Sequence, residues 1–287
     1  MVNLQKYKAK WLQNLEKAGV FAPAFELCEI IQHAAGIDRA HQLAGDAVLT
    51  DKQIDAVEEL LALRCKGTPL QYILGKWEFY GLDFFVGEGV LIPRADTETL
   101  VELGLKLMKN VPAPHIADLC SGSGCVAIAL AKSLPLSQVA AVELSDAAYG
   151  YLTRNIKLNE AHNVKSLQLD VLAQSSPSIL TKKNTAKFDL IISNPPYIRT
   201  SDLKELQREV QKEPVMALDG TADGLHFYRE ITRLYKNCLK KGGWLAYEVG
   251  DDQSTDVQNI LEQNGFANIT VQNDLGGFER VVAGRRK

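Results

Sequence analysis

The run with the clearest chemical meaning is Asn194-Pro195-Pro196-Tyr197, which directly follows the apolar segment Phe188–Ser193. Proline cannot continue a central strand, so the chain must leave the predicted sheet here. Two fixed proline φ angles hold the Asn194 side chain and nearby carbonyls in set directions. The Asn194 oxygen and a rigid backbone carbonyl together offer acceptors for both hydrogens of an N–H₂ group, and Tyr197 adds a flat face for a planar amide or base. The run therefore predicts that an amino or amide nitrogen is positioned for reaction rather than deprotonated by a strong base.

A second run, Asp118-Leu-Cys120-Ser121-Gly122-Ser123-Gly124, lies where a short apolar strand is expected to turn into a helix. Glycines let the backbone approach a ligand closely, and the helix N-terminus supplies unpaired N–H groups. Glu143 follows about twenty residues later, at the end of the next predicted strand, where an acidic residue can bind ribose hydroxyls. This pattern predicts a nucleoside ligand. It leaves open a dinucleotide or S-adenosylmethionine, since both carry that ribose.

Two acidic residues favour a ligand other than a dinucleotide. Asp118 ends the first predicted strand, where it can accept hydrogen bonds from an amino acid's ammonium group or from nearby backbone. Asp170 closes the third predicted strand and is placed to accept from an adenine amino group.

Cys120 is interpreted as a small buried side chain rather than a nucleophile, because no neighbouring residue activates its thiol.

The elements that must position these residues alternate between strand and helix from His115 onward. Such alternation predicts an α/β fold with a mostly parallel sheet covered on both faces, and ligands at the carboxyl ends of its strands. The predicted strands are His115–Leu119, Gln138–Leu144, Ser166–Val171, Phe188–Ser193, Trp244–Val249, Asn268–Asn273 and Arg280–Ala283, of which the last two form a terminal hairpin.

The chain before the sheet is predicted to have two parts. Residues 1–75 carry apolar stripes at helical spacing and no convincing strand pattern, and Thr50 with Gln53 forms a capping box. Residues 76–93 are rich in aromatic and β-branched side chains with interspersed glycines, which predicts a β-hairpin linker. Residues 94–287 then form the sheet domain, whose first helix Asp96 is expected to N-cap.

Composition excludes several classes of protein. The 287 residues are 46% apolar and 23% charged, with a net charge of −3, so the chain lacks the basic excess typical of nucleic-acid binding. Its five cysteines include no C-x-x-C pair, which argues against a disulfide framework or a structural metal site and fits a reducing cytoplasm. No segment approaches the ~20 apolar residues of a membrane span.

The glycine loop, Glu143, Asp170 and the Asn194–Tyr197 run resemble the S-adenosylmethionine-dependent amino-methyltransferases, which modify nitrogen in adenine, guanine or glutamine side chains. Further runs are similar to the release factor glutamine methyltransferases of the HemK/PrmC type. These are Gly67-x-Pro69-Leu-Gln-Tyr-Ile-Leu-Gly75, Glu78-Phe-Tyr-Gly81, Val90-Leu-Ile-Pro-Arg94-x-x-Thr97-Glu98, Glu213-Pro214, Ala217-Leu218, Asp223-Gly224-Leu225, Glu248-Val-Gly250 and Arg280-Val-Val282. The resemblance implies a class I, Rossmann-like methyltransferase fold with a seven-stranded, mostly parallel sheet, a small all-helical N-terminal domain for substrate recognition and a β-hairpin linker.

The resemblance also implies a reaction and its residues. A methyl group would pass from S-adenosyl-L-methionine, leaving S-adenosyl-L-homocysteine, to the side-chain amide nitrogen (N5) of the glutamine in the Gly-Gly-Gln motif of class 1 peptide chain release factors. Neither a membrane nor direct nucleic-acid binding is expected. The implied cofactor-binding residues are Asp118, Cys120, Ser121, Gly122, Ser123, Gly124, Glu143, Asp170, Val171 and Asn194, and the implied catalytic residues are Asn194, Pro195, Pro196 and Tyr197. Cys120 replaces the glycine usual in the family, and Glu143 replaces the commoner aspartate.

Three other functions remain as alternatives. A nucleic-acid amino-methyltransferase would use the same Asn194–Tyr197 run on a flipped base, although the balanced charge counts against it. A nicotinamide-dependent oxidoreductase would explain the glycine loop but not that run. A binding module without catalysis would not need the run at all.

Several other residues receive weaker interpretations. Arg94 and Thr97 either close over the cofactor or hold the linker in place, and Glu213 is expected to shape the substrate entrance. Glu248 is interpreted as a satisfied polar group at the sheet edge. The pair Lys240-Lys241 is interpreted as the exposed C-terminus of a helix over 228–239.

Overall fold

The computed structural model describes residues 1–184 and 186–287. The chain forms two compact units, of which the first consists of Met1–Lys76 and Gln207–Lys212 and the second of Trp77–Leu206 and Glu213–Lys287. Residues 77–93 of the predicted linker fall in the second unit and Lys76 in the first, which also includes a short segment from far along the chain. The assignment of residues 1–75 to substrate recognition stays a prediction.

The first unit is mainly helical. Its elements are β1 (Val2–Asn3), α1 (Gln5–Lys17), α2 (Pro23–Ala35), α3 (Arg39–Ala44), β2 (Val48–Leu49), α4 (Asp51–Cys65) and α5 (Leu70–Leu74). The capping box predicted at the start of α4 is confirmed, since the Thr50 hydroxyl accepts from the Gln53 backbone N–H and the Gln53 side chain accepts from the Thr50 N–H. The antiparallel pair of β1 and β2 was not predicted, because strands of two residues show no alternation in sequence.

The second unit begins with the predicted hairpin and continues with alternating strands and helices. Its elements are β3 (Lys76–Phe79), β4 (Leu82–Phe85), α6 (Glu98–Met108), β5 (His115–Leu119), α7 (Cys125–Ser133), β6 (Gln138–Glu143), α8 (Asp146–Leu158), β7 (Val164–Gln168), α9 (Ser176–Asn184), β8 (Phe188–Ser193), α10 (His226–Tyr235), β9 (Leu239–Glu248), α11 (Ser254–Gln263), β10 (Phe266–Asn273) and β11 (Glu279–Arg286).

Within the described residues, a seven-stranded sheet has the order β10-β11-β9-β8-β5-β6-β7. The strands from β9 to β7 are parallel, whereas β11 runs antiparallel to both of its neighbours, as the predicted terminal hairpin requires. The chain builds outward from β5 to β7 and then returns to place β8 on the other side of β5. Ligands of open α/β sheets bind at such a switch point, which here lies beside the ends of β5 and β8.

Two apolar layers cover this sheet. Helices α6 and α7 pack on one face, where Leu100, Ile128 and Leu130 are fully buried. Helices α10 and α11 pack on the other, with Tyr228, Ile231 and Leu261 buried. Burial on both faces explains why the central strands are continuously apolar.

Two expectations about polar residues near the site are wrong. Asp170 does not close a strand, because β7 ends at Gln168 and the Asp170 carboxylate accepts from the Leu172 N–H at 2.8 Å in the turn that follows. Asp96 does not cap α6, because it lies in the 3₁₀ turn Ala95–Thr97 and the helix begins one residue after that turn. The hydrogen bond of Asp170 to the backbone two residues on stabilises a turn in place of a further strand residue.

The lysine pair is also placed differently from the prediction. Helix α10 ends at Tyr235, and Lys240 lies in β9, where its ammonium group donates to the Asp189 carboxylate at 2.8 Å.

Across residues 1–184 and 186–287, every helix is too short or too polar to span a lipid bilayer.

Candidate active site

Two cavities with shared walls open at the carboxyl ends of β5, β6 and β8. The larger has a volume of about 240 Å³ and the smaller one of about 30 Å³. Of the predicted site residues, the larger is lined by Cys120, Gly122, Glu143, Asp170, Val171, Asn194 and Pro196, and the smaller by Asp118, Cys120, Ser121, Gly122, Ser123 and Asn194. The structure thus brings together most residues selected from the sequence, and Asn194 lies on the wall of both cavities.

The glycine loop turns sharply between β5 and α7. Its positive φ angles are 61° at Cys120, 55° at Gly122 and 83° at Gly124. A Cβ at Gly124 would lie 2.4 Å from Leu152 Cδ1, whereas one at Gly122 would meet nothing within 4 Å. Gly124, which lines neither cavity, therefore allows α7 to pack closely, and Gly122 keeps the backbone open toward the cavities.

Glu143 ties the end of β6 to this loop. One carboxylate oxygen accepts from the Gly122 N–H at 2.8 Å, and the other accepts from the N–H groups of Leu144 at 2.9 Å and Ser145 at 2.8 Å. Three N–H donors hold the carboxylate in a fixed orientation, and Oε2, which accepts from Gly122 alone, keeps a lone pair for a ligand in the larger cavity.

Asp118 is a buried carboxyl group with an unused oxygen. The residue is 2% exposed, and its Oδ2 has no hydrogen-bond partner among the described residues. Burial raises the pKa of Asp118 to about 7, although hydrogen bonds from Ser121 and from the Ala127 backbone act in the opposite direction. A buried acceptor without a partner, on the wall of the smaller cavity, suits a cationic or hydrogen-donating ligand group.

The thiol of Cys120 is chemically quiet. Burial, reinforced by the negative charge of Glu143, raises its pKa well above that of a free cysteine. It therefore stays protonated at neutral pH, which agrees with the interpretation of this residue as a small packing side chain.

Asn194 leaves the end of β8 with its side chain already oriented. Its Nδ2 donates to the Thr97 hydroxyl at 3.3 Å, so that Oδ1 remains as an acceptor. The strand end is held in place by the Ser193 hydroxyl, which donates to the Leu119 carbonyl at 2.6 Å. The sequence predicted that Thr97 either closes over the cofactor or holds the linker in place. The structure adds a third role, because the Thr97 hydroxyl orients the Asn194 side chain.

Tyr197 has contacts that the sequence did not suggest. Its hydroxyl donates to Glu248 Oε1 at 3.4 Å, and its carbonyl accepts from Gln253 Nε2 at 2.8 Å. Neither Tyr197 nor Pro195 is among the residues that line the two cavities. Stacking of Tyr197 on a substrate therefore stays a prediction.

The rim of the cavities comes from segments that sequence reasoning did not assign to the site. Gly89 and Leu91 line it from the linker, Met216 from the chain after β8, and Phe227 from the first turn of α10. In the sequence the linker indicates a β-hairpin and carries runs that resemble a family, but nothing in it indicates a cavity wall, and no sequence signal distinguishes Phe227 from an ordinary core aromatic.

Glu213 holds two of these rim segments together. Its buried carboxylate accepts from the Ile92 N–H at 2.9 Å and pairs with the Arg94 guanidinium. Arg94 thus fastens the linker to the segment that begins at Pro214, and the expected part of Glu213 in shaping the entrance has a structural basis.

Within residues 1–184 and 186–287, no three His, Cys, Asp or Glu side chains are grouped as metal ligands, and all five cysteines are free.

Comparison with known proteins gives two family matches and close relatives. A profile described as "PrmC N-terminal domain" matches residues 9–75, and one described as "Methyltransferase small domain" matches residues 96–221. The release factor glutamine methyltransferase of Fusobacterium nucleatum is 39% identical over 282 residues, covering 96% of this chain and 77% of that protein. The one of Geobacter sulfurreducens is 42% identical over 276 residues, covering 94% of this chain and 92% of that protein.

A solved structure supports the fold independently. The hMettl16 catalytic domain in complex with the MAT2A 3′UTR hairpin 6 matches with a TM-score of 0.58 at 16% identity, covering 80% of this chain and 82% of that one. At this identity the likeness shows the methyltransferase fold alone. The two bacterial relatives match nearly the whole sequence at 39% and 42% identity. The chain therefore belongs to the release factor glutamine methyltransferase family.

Proposed function

We propose that this chain transfers the methyl group of S-adenosyl-L-methionine to the side-chain amide nitrogen of the glutamine in the Gly-Gly-Gln motif of class 1 release factors. The observation that carries the proposal is Asn194, which lines both cavities with Nδ2 held by Thr97 and Oδ1 free to accept. An acceptor fixed between two cavities suits a reaction in which a nitrogen bearing two hydrogens must be aimed at a neighbouring ligand.

The residues around the cavities fit the cofactor. The unpartnered Asp118 Oδ2 would hold its ammonium group from the smaller cavity. Glu143 Oε2 would accept from a ribose hydroxyl in the larger cavity, with Asp170 and Val171 beside the adenine. Bound there, S-adenosylmethionine supplies an already activated methyl group.

The protein's own part is to orient the substrate amide. An amide nitrogen is a weak nucleophile, because its lone pair is delocalised. Acceptance of its hydrogens by Asn194 Oδ1 and the Pro195 carbonyl fixes the direction of the nitrogen and stabilises the positive charge that it gains in the transition state. S-adenosyl-L-homocysteine leaves as the N–C bond forms, and the methylated nitrogen then gives one of its two protons to water, because an N-protonated amide is a strong acid. Burial raises the pKa of Cys120, so this thiol stays protonated and does not serve as the base.

The first unit and the cellular location complete the proposal. The PrmC N-terminal profile falls within the helical part of the first unit, which we assign to recognition of the release factor. A translation factor as substrate, together with five unpaired cysteines, fits an enzyme of the cytoplasm.

The direct test is transfer of label from methyl-labelled S-adenosylmethionine. The purified protein is incubated separately with a release factor, with its Gly-Gly-Gln variant carrying alanine for glutamine, and with DNA or RNA. We expect label in the intact factor and none in the alanine variant or in nucleic acid. Label in nucleic acid without label in the factor would overturn the proposal in favour of a nucleic-acid amino-methyltransferase.

Replacement of Asn194 tests the residue that carries the proposal. We expect Asn194→Ala to lower the transfer rate by roughly 10²- to 10³-fold, the usual effect of removing one oriented hydrogen-bonding group from a site, with cofactor binding retained. Asn110→Ala is the control, because that asparagine is exposed and distant in sequence. Turnover by Asn194→Ala at the rate of the unmodified enzyme would exclude the assigned role.

A further inference from the structure

The walls of the two cavities carry more acidic than basic groups. Asp118, Glu143 and Asp170 are the acidic residues that line them. Within residues 1–184 and 186–287, the one basic residue on these walls is Arg94, which lines the smaller cavity together with Asp118. The function proposed above gives a ligand group to each of the three acidic residues but none to Arg94.

Asp118 is the carboxyl group that a ligand meets beside this cation. Two buried carboxyl groups keep an oxygen without a hydrogen-bond partner in the described chain, namely Oδ2 of Asp118 and Oε2 of Glu248. The sequence-based interpretation of Glu248 as a satisfied polar group is therefore wrong, since a buried oxygen without a partner costs stability. Glu248 is not among the residues that line the two cavities, whereas Asp118 is. An ammonium group in the smaller cavity therefore has Asp118 as its partner.

The Arg94 guanidinium is held in place and still has donors for a ligand. Its Nη2 pairs with one oxygen of the Glu213 carboxylate, whose other oxygen accepts from the Ile92 N–H at 2.9 Å. The Glu213 side chain is 1% exposed, whereas that of Arg94 is 36% exposed. A guanidinium has five N–H donors, and Nε and Nη1 of Arg94 have no acceptor among the described residues.

A second arginine of the chain shows how many carboxylates such a group can hold. Arg64 pairs with the carboxylates of both Glu26 and Glu209, through different N–H groups of one guanidinium. Arg94 pairs with Glu213 alone among the described residues. Since the planar fork of donors matches carboxylate geometry, Arg94 suits a second carboxylate brought by a ligand.

We propose that Arg94 binds the carboxylate at the amino-acid end of S-adenosylmethionine, next to the ammonium group at Asp118. The two ligand groups are bonded to the same carbon, so a site that binds the ammonium group must also accommodate the carboxylate. Without Arg94, that carboxylate would lie near Asp118 and Glu213 with no cation on the cavity walls to offset the repulsion. This inference rests on the cofactor of the proposed function, and it adds the residue that recognises the cofactor as a zwitterion.

The experiment compares two ligands that differ in this carboxylate alone. Calorimetry measures the Kd of S-adenosylhomocysteine and of decarboxylated S-adenosylhomocysteine, which keeps the ammonium group, above the Asp118 pKa of about 7. We expect the unmodified protein to bind the decarboxylated ligand roughly 10- to 100-fold more weakly, the range for loss of a hydrogen bond between charged groups.

Replacement of Arg94 should remove this preference. We expect Arg94→Gln to bind S-adenosylhomocysteine roughly 10- to 100-fold more weakly and the decarboxylated ligand within about threefold of the unmodified protein. Glu213→Gln is the matched control, because it breaks the same ion pair, keeps an oxygen for the Ile92 N–H and leaves the Arg94 charge in place. It should retain the preference for the carboxylate.

The double variant Arg94→Gln/Glu213→Gln covers the case in which an unpaired, buried Glu213 destabilises Arg94→Gln. It leaves no unpaired charge from this ion pair, and it should lose the preference as Arg94→Gln does. Equal losses of affinity for both ligands in the double variant would mean that Arg94 only fastens the linker, and would overturn the inference.

Other outcomes separate this inference from the proposed function. Equal affinities of the unmodified protein for the two ligands would overturn the role of Arg94, while transfer of label to a release factor would still stand. A preference that depends on Arg94, without transfer of label to any release factor, would support the role of Arg94 and overturn the proposed substrate. Failure of the unmodified protein to bind either ligand would overturn the proposed cofactor, and the role of Arg94 with it.

Discussion

Asp118 shows how a single buried residue can couple ligand binding to protonation. Burial raises the pKa of its carboxyl group to about 7, so the group is mostly protonated below that pH in the free protein. A ligand ammonium group at Oδ2 favours the carboxylate and lowers this pKa. We therefore expect binding of S-adenosylhomocysteine to release a proton below about pH 7, and its affinity to rise with pH and level off above about pH 7. Calorimetric titration in buffers of different ionisation enthalpy measures the release.

Asp118→Asn is the matched control for this linkage, since it keeps the shape of the side chain without the titration. Its affinity should fall by roughly tenfold to hundredfold, the range expected for a hydrogen bond to a charged group, and its proton release should vanish. A proton release as large as that of the unmodified protein would mean that a different group titrates.

Cys120 allows a second test at this scale. Its backbone is left-handed, with φ at 61°, a conformation that glycine adopts freely and that β-branched residues strongly avoid. We expect Cys120→Gly to keep cofactor affinity and transfer, and Cys120→Val to lower the free energy of unfolding by about 1–2 kcal/mol in urea titrations. A large loss of transfer in Cys120→Gly would instead mean that the thiol takes part in the reaction.

At the scale of elements, Gln253 joins three loops beneath the Asn194–Tyr197 run. The residue precedes α11 and is 3% exposed. Its Nε2 donates to the Tyr197 carbonyl at 2.8 Å and to the Gly224 carbonyl at 3.4 Å, and its Oε1 accepts from the Gly250 N–H at 3.1 Å. One side chain thus satisfies the backbone of the segments that follow β8 and β9 and of the one that precedes α10.

Removal of this side chain leaves several backbone groups buried without partners. We expect Gln253→Ala to lower the free energy of unfolding by about 2–4 kcal/mol, since each unsatisfied group costs roughly 1–3 kcal/mol. Gln258→Ala, within α11, removes one bond, to the Ser254 hydroxyl, and should cost less than about 1 kcal/mol. Equal losses in the two variants by chemical denaturation would contradict a joining role for Gln253.

Sequence reasoning predicted the sheet well, because parallel strands buried on both faces must be continuously apolar and are bounded by helices. It failed where a polar residue had more than one local option. Asp170 lies beyond β7 because its side chain satisfies a turn, and Lys240 lies within β9 because it meets Asp189 on the neighbouring strand. The turn at Asp170 is one of several local options for that side chain, and the partner of Lys240, 51 residues away, cannot be read from local spacing.

The candidate site was likewise only partly predictable from the sequence. The glycine loop, Glu143 and the Asn194–Tyr197 run were found from sequence, because their residue types are unusual at strand ends. The contact between Asn194 and Thr97 was not found, because these residues come from distant parts of the chain and a hydroxyl has no distinctive spacing. Contacts of this kind depend on tertiary structure alone.

At the scale of the whole molecule, the segment between β8 and α10 belongs partly to each unit. Near its ends the Ile198 N–H donates to the Leu218 carbonyl at 2.9 Å within the second unit, whereas Gln207–Lys212 belongs to the first. Within the first unit, the buried Arg64 guanidinium pairs with Glu26 and, at 2.8 Å, with Glu209. A buried cation with two carboxylate partners fastens this segment where an exposed pair would not.

A second contact of this segment, between Arg208 and Gly67, yields a prediction with an internal control. Gly67 has a φ of 90°, and a Cβ there would lie 2.6 Å from Arg208 Nε. Gly75 in the same unit has a φ of 70° with nothing within 4 Å of a Cβ. Alanine at either position should cost about 1 kcal/mol through backbone strain, but only Gly67→Ala displaces Arg208.

We therefore expect limited trypsin digestion, followed by mass spectrometry of the first products, to show faster cleavage after Arg208 in Gly67→Ala than in the unmodified protein. Gly75→Ala should lose similar stability without that change, because its strain is not transmitted to the segment. Equal acceleration in the two variants would mean that cleavage follows the general stability of the first unit. A selective effect of Gly67→Ala would instead establish that packing over this glycine, together with the Arg64 pairs, holds the middle of the segment that follows the Asn194–Tyr197 run.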